Sequence, residues 1–189
     1  MKRSAEGSRR AVFLDRDGTI TKLDGYVTHP NQLRLLDGAA AALRRLDAHN
    51  FLRILVTNQS AIGRGMITES ELARIHAGLS RLLKAEDAIL DAVYFCPSAP
   101  QTRDERAIEF NNRKPGPGML LQAAADHRVD LSQSWMVGDR LSDVLAGINA
   151  GCRSIRVDSG FRYEIDETPL GVPVVPSLQE AAELIIREH

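Results

Sequence analysis

The sequence predicts an α/β fold, a Rossmann-like parallel sheet with helices on both faces and no separate cap domain. Short apolar runs alternate with helix-period patterns, as expected when each strand is followed by a covering helix. The gaps between runs hold only a helix and its loops, which leaves no sequence to build an inserted lid, so the active site should be open. AVFLD at 11–15 reads as the first strand. DGAAAALRRLDAHN at 37–50 places Ala39, Leu43 and Leu46 near one helical face and leads into the strand LRILVT at 52–57. Thr68, Glu69 and Glu71 open the next helix, with acids in its first turn and Lys84 near its end. DAVYF at 91–95 is the third strand. The stretch 96–112, with Pro97, Pro100 and a charge cluster from Arg103 to Arg106, is a loop too long for a plain connector. A helix at about 117–128, a strand at 134–137, a helix at about 141–150 and a strand at 153–157 follow, and a final helix near 177–187 closes the chain.

Bulk properties narrow the function. At 189 residues the chain is sized for one catalytic domain, read here as 11–189 behind a polar, basic tail at 1–10. The tail has no apolar stretch after it and is not a secretory signal. A formal charge of −1 and an aromatic share of 5% give neither the basic footprint nor the stacking rings of a nucleic-acid binder. No apolar run is long enough to span a membrane. The reading is a cytoplasmic monomer with Cys96 and Cys152 as reduced thiols. His29, His49, His76 and His127 lack metal spacing and read as structural, and Cys152 reads as a small buried hydrophobe.

The first strand ends in Asp15-Arg16-Asp17-Gly18-Thr19, two carboxylates two residues apart at the sheet edge where ligands of open α/β sheets collect. Alone, such a strand end could be an Asx turn. An apolar strand delivering Asp-x-Asp-Gly-Thr resembles the haloacid dehalogenase superfamily of phosphohydrolases. A carboxylate attacks phosphorus only when the negative charges of both are shielded, so oxygen ligands and Mg²⁺ belong together here. Asp15 is the candidate nucleophile and metal ligand. Asp17 fits the acid that protonates the leaving oxygen and then deprotonates water, and the resemblance implies that its backbone carbonyl also binds the metal. Gly18 permits the tight turn that aims N–H groups at phosphate.

Three further motifs follow in order. The resemblance gives the Thr57 hydroxyl and the Lys114 ammonium of Arg113-Lys114-Pro115 to the transferring phosphoryl group. Val137-Gly138-Asp139-Arg140-Leu141-Ser142-Asp143 carries two acids four residues apart on one side; Asp139 is the metal ligand, and Asp143 orients a metal-bound water or Lys114.

AVFLDRDGTI, DGYV at 24–27, VTNQS at 56–60, GRG at 63–65, RKPGPGMLLQAA at 113–124 and MVGDRLSD at 136–143 resemble the D-glycero-D-manno-heptose-1,7-bisphosphate 7-phosphatase family, and the histidinol-phosphate phosphatases share much of the pattern. The resemblance implies that Asp24, Gly25, Tyr26 and Asn58 line the substrate site, that Arg113 contacts the distal sugar or its second phosphate, and that Arg140 adds a contact. Members commonly hold a structural zinc through Cys-x-His and Cys-x-Cys. Here those positions read Cys96-Pro97-Ser98 and Phe110-Asn111-Asn112, one good ligand where zinc needs four, so no structural zinc is expected. The loop should then rely on packing by Phe95 and Phe110.

The expected activity is Mg²⁺-dependent hydrolysis of a small phosphorylated sugar through an aspartyl phosphate on Asp15. Histidinol phosphate or another small phosphomonoester is the alternative substrate, and a 3′-phosphatase acting on nucleic acid is a weaker third. A phosphosugar-binding module without catalysis is the rival of another class; the acid–base residue Asp17 argues against it.

Overall fold

A computed structural model describes residues 8–22, 25–158, 160 and 168–189. Six parallel strands, β1 (Arg10–Leu14), β2 (Phe51–Asn58), β3 (Ala92–Cys96), β4 (Trp135–Gly138), β5 (Arg153–Val157) and β6 (Val174–Val175), form one sheet in the order β3-β2-β1-β4-β5-β6. The helices are α1 (Ala39–Ala48), α2 (Ser60–Gly63), α3 (Glu69–Lys84), α4 (Gly118–His127), α5 (Leu141–Ala150) and α6 (Leu178–Arg187). The α/β class and the strand–helix alternation are those expected from sequence.

Both faces of the sheet are covered, which explains why the strands are continuously apolar instead of alternating. Val12 and Leu14 of β1 enter a core made with α1, α3 and α6, including Leu43, Leu72, Ile75 and Ala181. Ala11 and Phe13 point the other way and pack with Met119, Leu120 and Ala123 of α4 and Ala146 of α5. Two helix starts are set by local chemistry. The Thr68 hydroxyl accepts from the Glu71 N–H while the Glu71 carboxylate accepts from the Thr68 N–H, a reciprocal cap. Gly38, at φ +76°, stands before α1, so that helix starts at Ala39 and not at Asp37.

The first strand begins at Arg10, one residue before the expected start, and Arg9 bridges to Val129, so the chain joins the sheet inside the stretch read as a tail. Residues 1–7 lie outside the described residues.

The strand order places the ends of β2, β1 and β4 side by side. Leu14 is in register with Leu55 on one side and Val137 on the other, so the residues that follow emerge together at one edge. This is where the strand order reverses and where ligands of such sheets bind.

His76 of α3 sits against the Phe95 ring, with ring centroids 6.1 Å apart. Burial, reinforced by the Arg16 charge, lowers its pKa from 6.5 to about 4. The folded protein therefore binds fewer protons at His76 than the unfolded chain does, and stability drops as pH falls through that window. Replacing His76 by Leu is expected to recover ~2–3 kcal/mol of the stability lost between about pH 7 and about pH 4.5. Urea melts of both proteins at the two pH values check this; parallel losses would contradict it.

Candidate active site

Asp15 follows β1 directly, and its N–H donates to the Val137 carbonyl at 3.0 Å, which fixes the residue between β1 and β4. Its Oδ1 accepts from Lys114 Nζ at 2.6 Å. The same ammonium donates to the Val56 carbonyl at 2.7 Å and pairs with Asp143 Oδ1 at 2.7 Å. Lys114 thus satisfies its three donors at one sheet edge, all of them buried. Burial opposes its charge, but Asp143 and then Asp15 outweigh burial and hold its pKa above the ordinary lysine value. The ammonium stays charged.

Oxygens of Asp15, Asp139 and Asp143 lie within 4.8 Å of one another. Lys114 pairs with two of these three buried acids, so carboxylates outnumber the ammonium between them. The donor set is hard oxygen throughout, and it fits Mg²⁺. Burial, then the Asp15 carboxylate, push the Asp143 pKa up against the pull of Lys114.

Close backbone approach makes the cluster possible. Gly18 has φ +85°, and a Cβ there would lie 2.3 Å from Asp139 Oδ2. A side chain at 18 would both strain the turn and expel Asp139 from its place. Asp143 also caps α5, accepting from the Arg140 N–H at 3.0 Å, and Arg156 Nε braces the Asp139 carbonyl at 3.1 Å from β5.

Asp17 lies at the rim, with its carboxylate forked by Arg16 Nε at 3.0 Å and Nη2 at 2.8 Å. Thr57, at the end of β2, accepts at Oγ1 from Gln59 Nε2 at 2.8 Å. Lys114, Asp139, Asp143, Asp15 and Thr57 are therefore brought to one edge from four segments of the chain.

The expected substrate contacts divide. The Asn58 carboxamide is committed on both sides to the Lys114 main chain, donating to its carbonyl at 3.0 Å and accepting from its N–H at 3.1 Å. Its structural task is to register the lysine. Arg113 donates to the Ser98 carbonyl at 2.7 Å and to Ser60 Oγ at 3.2 Å, which sets it on the loop side of the site. Arg140 Nε pairs with Glu105 at 2.9 Å. Tyr26 is 46% exposed with the Arg64 guanidinium 5.9 Å from its ring centroid, and Gly25 is exposed beside it. Asp24 lies outside the described residues.

Polar contacts hold the long loop alongside the phenylalanine expected at its start. Phe95 packs against the sheet core. Glu105 reaches from the loop to Arg140 and accepts from the Ser142 N–H at 3.2 Å, while Gly63 N–H donates to the Pro97 carbonyl at 2.9 Å and Gly118 N–H to the Asn111 carbonyl at 2.8 Å. Glu105, Arg16 and Gln59 were not singled out by sequence. Glu105 stood among other charges in a loop, and Arg16 occupies the unspecified position of its motif.

Cys96 and Cys152 are buried free thiols, and burial pushes the Cys152 pKa up to about 12. It carries no thiolate at neutral pH and behaves as a small core residue.

With the strand order 3-2-1-4-5-6 and a buried ammonium clasped between an acid at the end of β1 and one in the first turn of α5, fold and site together define a haloacid dehalogenase-like hydrolase. Residues 111–181 match a family model described as HAD-hydrolase-like. Over 178 residues the chain is 36% identical to the D-glycero-β-D-manno-heptose-1,7-bisphosphate 7-phosphatase of Pasteurella multocida, an alignment spanning 94% of this chain and 97% of the relative. It is 43% identical over 143 residues to the D-glycero-α-D-manno-heptose-1,7-bisphosphate 7-phosphatase of Burkholderia mallei, spanning 75% of this chain and 76% of that protein. The crystal structure of the D,D-heptose 1,7-bisphosphate phosphatase of B. bronchiseptica, complexed with magnesium and phosphate, superposes with a TM-score of 0.84 at 31% identity, covering 95% of this chain and 99% of that one. The chain belongs to the heptose-1,7-bisphosphate 7-phosphatase family.

Among the described residues, no helix is long and apolar enough to cross a membrane.

Proposed function

We propose that this protein hydrolyses the 7-phosphate of D-glycero-D-manno-heptose 1,7-bisphosphate in the cytoplasm, as a monomer, with Asp15 as nucleophile. The observation that carries the chemistry is the Asp15 carboxylate held 2.6 Å from a buried, charged Lys114 beside Asp139. Family membership carries the substrate.

Asp15 attacks phosphorus and forms the aspartyl phosphate as the bond to the sugar oxygen breaks. Asp17 gives that oxygen its proton. Asp17 then takes a proton from water, which attacks the same phosphorus and frees Asp15 and inorganic phosphate. Lys114 and the Thr57 hydroxyl hold the phosphoryl oxygens, and Asp143 keeps the ammonium in place. Asp15, Asp139 and the Asp17 carbonyl are the groups that would hold Mg²⁺, which supplies the positive charge that lets an anion approach an anion. In this reading Arg113, Tyr26, Gly25, Asp24 and Asn58 have the role of contacting the sugar and its second phosphate, and Arg140 is shared between loop and substrate.

Phosphate release from a panel including both anomers of the heptose bisphosphate, histidinol phosphate and a generic ester, with and without Mg²⁺, tests the proposal. The heptose bisphosphate should have the highest kcat/KM; preference for histidinol phosphate would move the substrate, and no release from any ester would end the enzymatic reading.

Asp17→Asn should lose at least ~10²-fold in kcat, the usual range for an acid–base group, with substrate binding retained. Stopped-flow and steady-state rates check it; a rate unchanged from wild type would assign the proton to another residue.

The loop is proposed to stand without zinc, because Glu105 ties it to Arg140 and to the start of α5. A zinc-selective chelator should leave the melting temperature unmoved, whereas Glu105→Ala should raise KM by roughly 3–10-fold, as loss of a few hydrogen bonds to charged groups implies. A chelator-induced fall in melting temperature would restore the metal.

A further inference from the structure

Beneath the phosphoryl-binding edge lies a buried polar chain. Arg16 is 1% exposed, Gln59 4% and Thr57 1%. Arg16 Nη2 donates to Gln59 Oε1 at 3.0 Å, and Gln59 Nε2 donates to Thr57 Oγ1 at 2.8 Å and, more weakly, to Asp17 Oδ2 at 3.5 Å. A guanidinium has donors only, so it fixes which end of the Gln59 amide faces it: oxygen toward Arg16, nitrogen toward Thr57. Thr57 Oγ1 must then accept in that direction, and its single proton is directed elsewhere. Thr57 directly follows Val56, whose carbonyl accepts from Lys114 Nζ at 2.7 Å, so the hydroxyl stands at the strand end that carries the lysine. The same guanidinium forks Asp17.

We infer that Arg16 and Gln59 are positioning residues that set the polarity of the Thr57 hydroxyl, so that it presents a proton to a phosphoryl oxygen. This rests on the proposed role of Thr57 in the phosphatase reaction and extends it to two residues that touch no substrate. Orientation is imposed through bonds already made in the folded protein, so none has to be reorganised as the phosphoryl group arrives.

The consequence is an order of damage that a merely structural role does not produce. Glutamate at 59 can still accept from Arg16, but its second oxygen has no proton to give and would take the one on Thr57. Methionine at 59 breaks all three bonds and leaves the hydroxyl free to turn to phosphate. Gln59→Glu is therefore expected to lower kcat for p-nitrophenyl phosphate and the affinity for inorganic phosphate by roughly 10–100-fold, the range for a hydrogen bond to a charged group, and to match Thr57→Val. Gln59→Met should lose less than about 5-fold on that scale. Adding Gln59→Glu to Thr57→Val should cost little more in affinity for inorganic phosphate, a readout that needs no proton from Asp17, since on that scale both remove one interaction.

Melting curves on each variant accompany the kinetics. Gln59→Met as impaired as Gln59→Glu, or Gln59→Glu and Thr57→Val multiplying in phosphate affinity in the double variant, overturns the inference. Should Gln59→Glu fail to fold, the comparison of Gln59→Met with Thr57→Val decides alone: equal losses overturn it, a milder Met supports it. An inactive wild type, or full activity in Thr57→Val, would instead overturn the reading of the site on which the inference stands.

Discussion

Replacing Asp15 by Asn is expected to lower turnover by ~10⁴-fold or more while leaving the fold in place. A carboxamide has no anionic oxygen with which to attack phosphorus, and loss of a covalent nucleophile has effects of that order. The fold should persist because Asn fills the same volume and Lys114 keeps Asp143 and the Val56 carbonyl. The substitution also removes one negative charge from a cluster that has a surplus of them. Steady-state kinetics with saturating Mg²⁺, alongside a thermal melt, checks both halves. Turnover within about 10-fold of wild type would remove Asp15 from the nucleophile's role, since misplacing a bystander rarely costs more.

Lys114→Met should be the most destabilising single change at this edge. It leaves Asp15, Asp139 and Asp143 buried together without the ammonium that joins two of them. Breaking a buried pair by removing one partner costs about 3–5 kcal/mol, on the order of 10 °C in melting temperature for a chain of this size. Turnover should vanish with it, for the phosphoryl group loses its cation. Two accompanying results identify the cause as charge. Mg²⁺ should raise the melting temperature of Lys114→Met by more than it raises that of wild type, by mass action on a more acidic site. Adding Asp143→Asn should regain part of the loss. A melting temperature within about 2 °C of wild type would mean that the three acids are not stressed by one another's charge in the folded state.

The sequence carried the frame of this structure because its signals are local or periodic. Residues 11–14, 54–56 and 136–137 are apolar on both faces, which a strand covered on both sides requires, and the Thr68–Glu71 cap is written within four consecutive residues. The short helix α2 and the two-residue β6 fall below what periodicity resolves. At the site, the acids and the lysine were legible because chemistry demands those types at strand ends. The supporting side chains were not, because each finds its partner far along the chain: Arg16 and Gln59 are separated by 43 residues, Glu105 and Arg140 by 35, Asn58 and Lys114 by 56. An arginine within Asp-x-Asp reads as a surface residue until the fold buries it against a glutamine just past the end of the next strand. Asn58 carries a task its strand-end motif did not suggest, for its amide clamps the lysine backbone 56 residues away.

A covalent phosphoryl group on Asp15 is the direct test. Asp17→Asn protein, slowed in releasing its intermediate, would be mixed with heptose bisphosphate and Mg²⁺, quenched in acid, reduced with borohydride and digested for mass spectrometry. An aspartyl phosphate at position 15 is expected to appear as homoserine in the peptide that carries residues 11–15. Phosphate release in the same tube with residue 15 unreduced, or with the reduced residue elsewhere in the chain, would contradict the account.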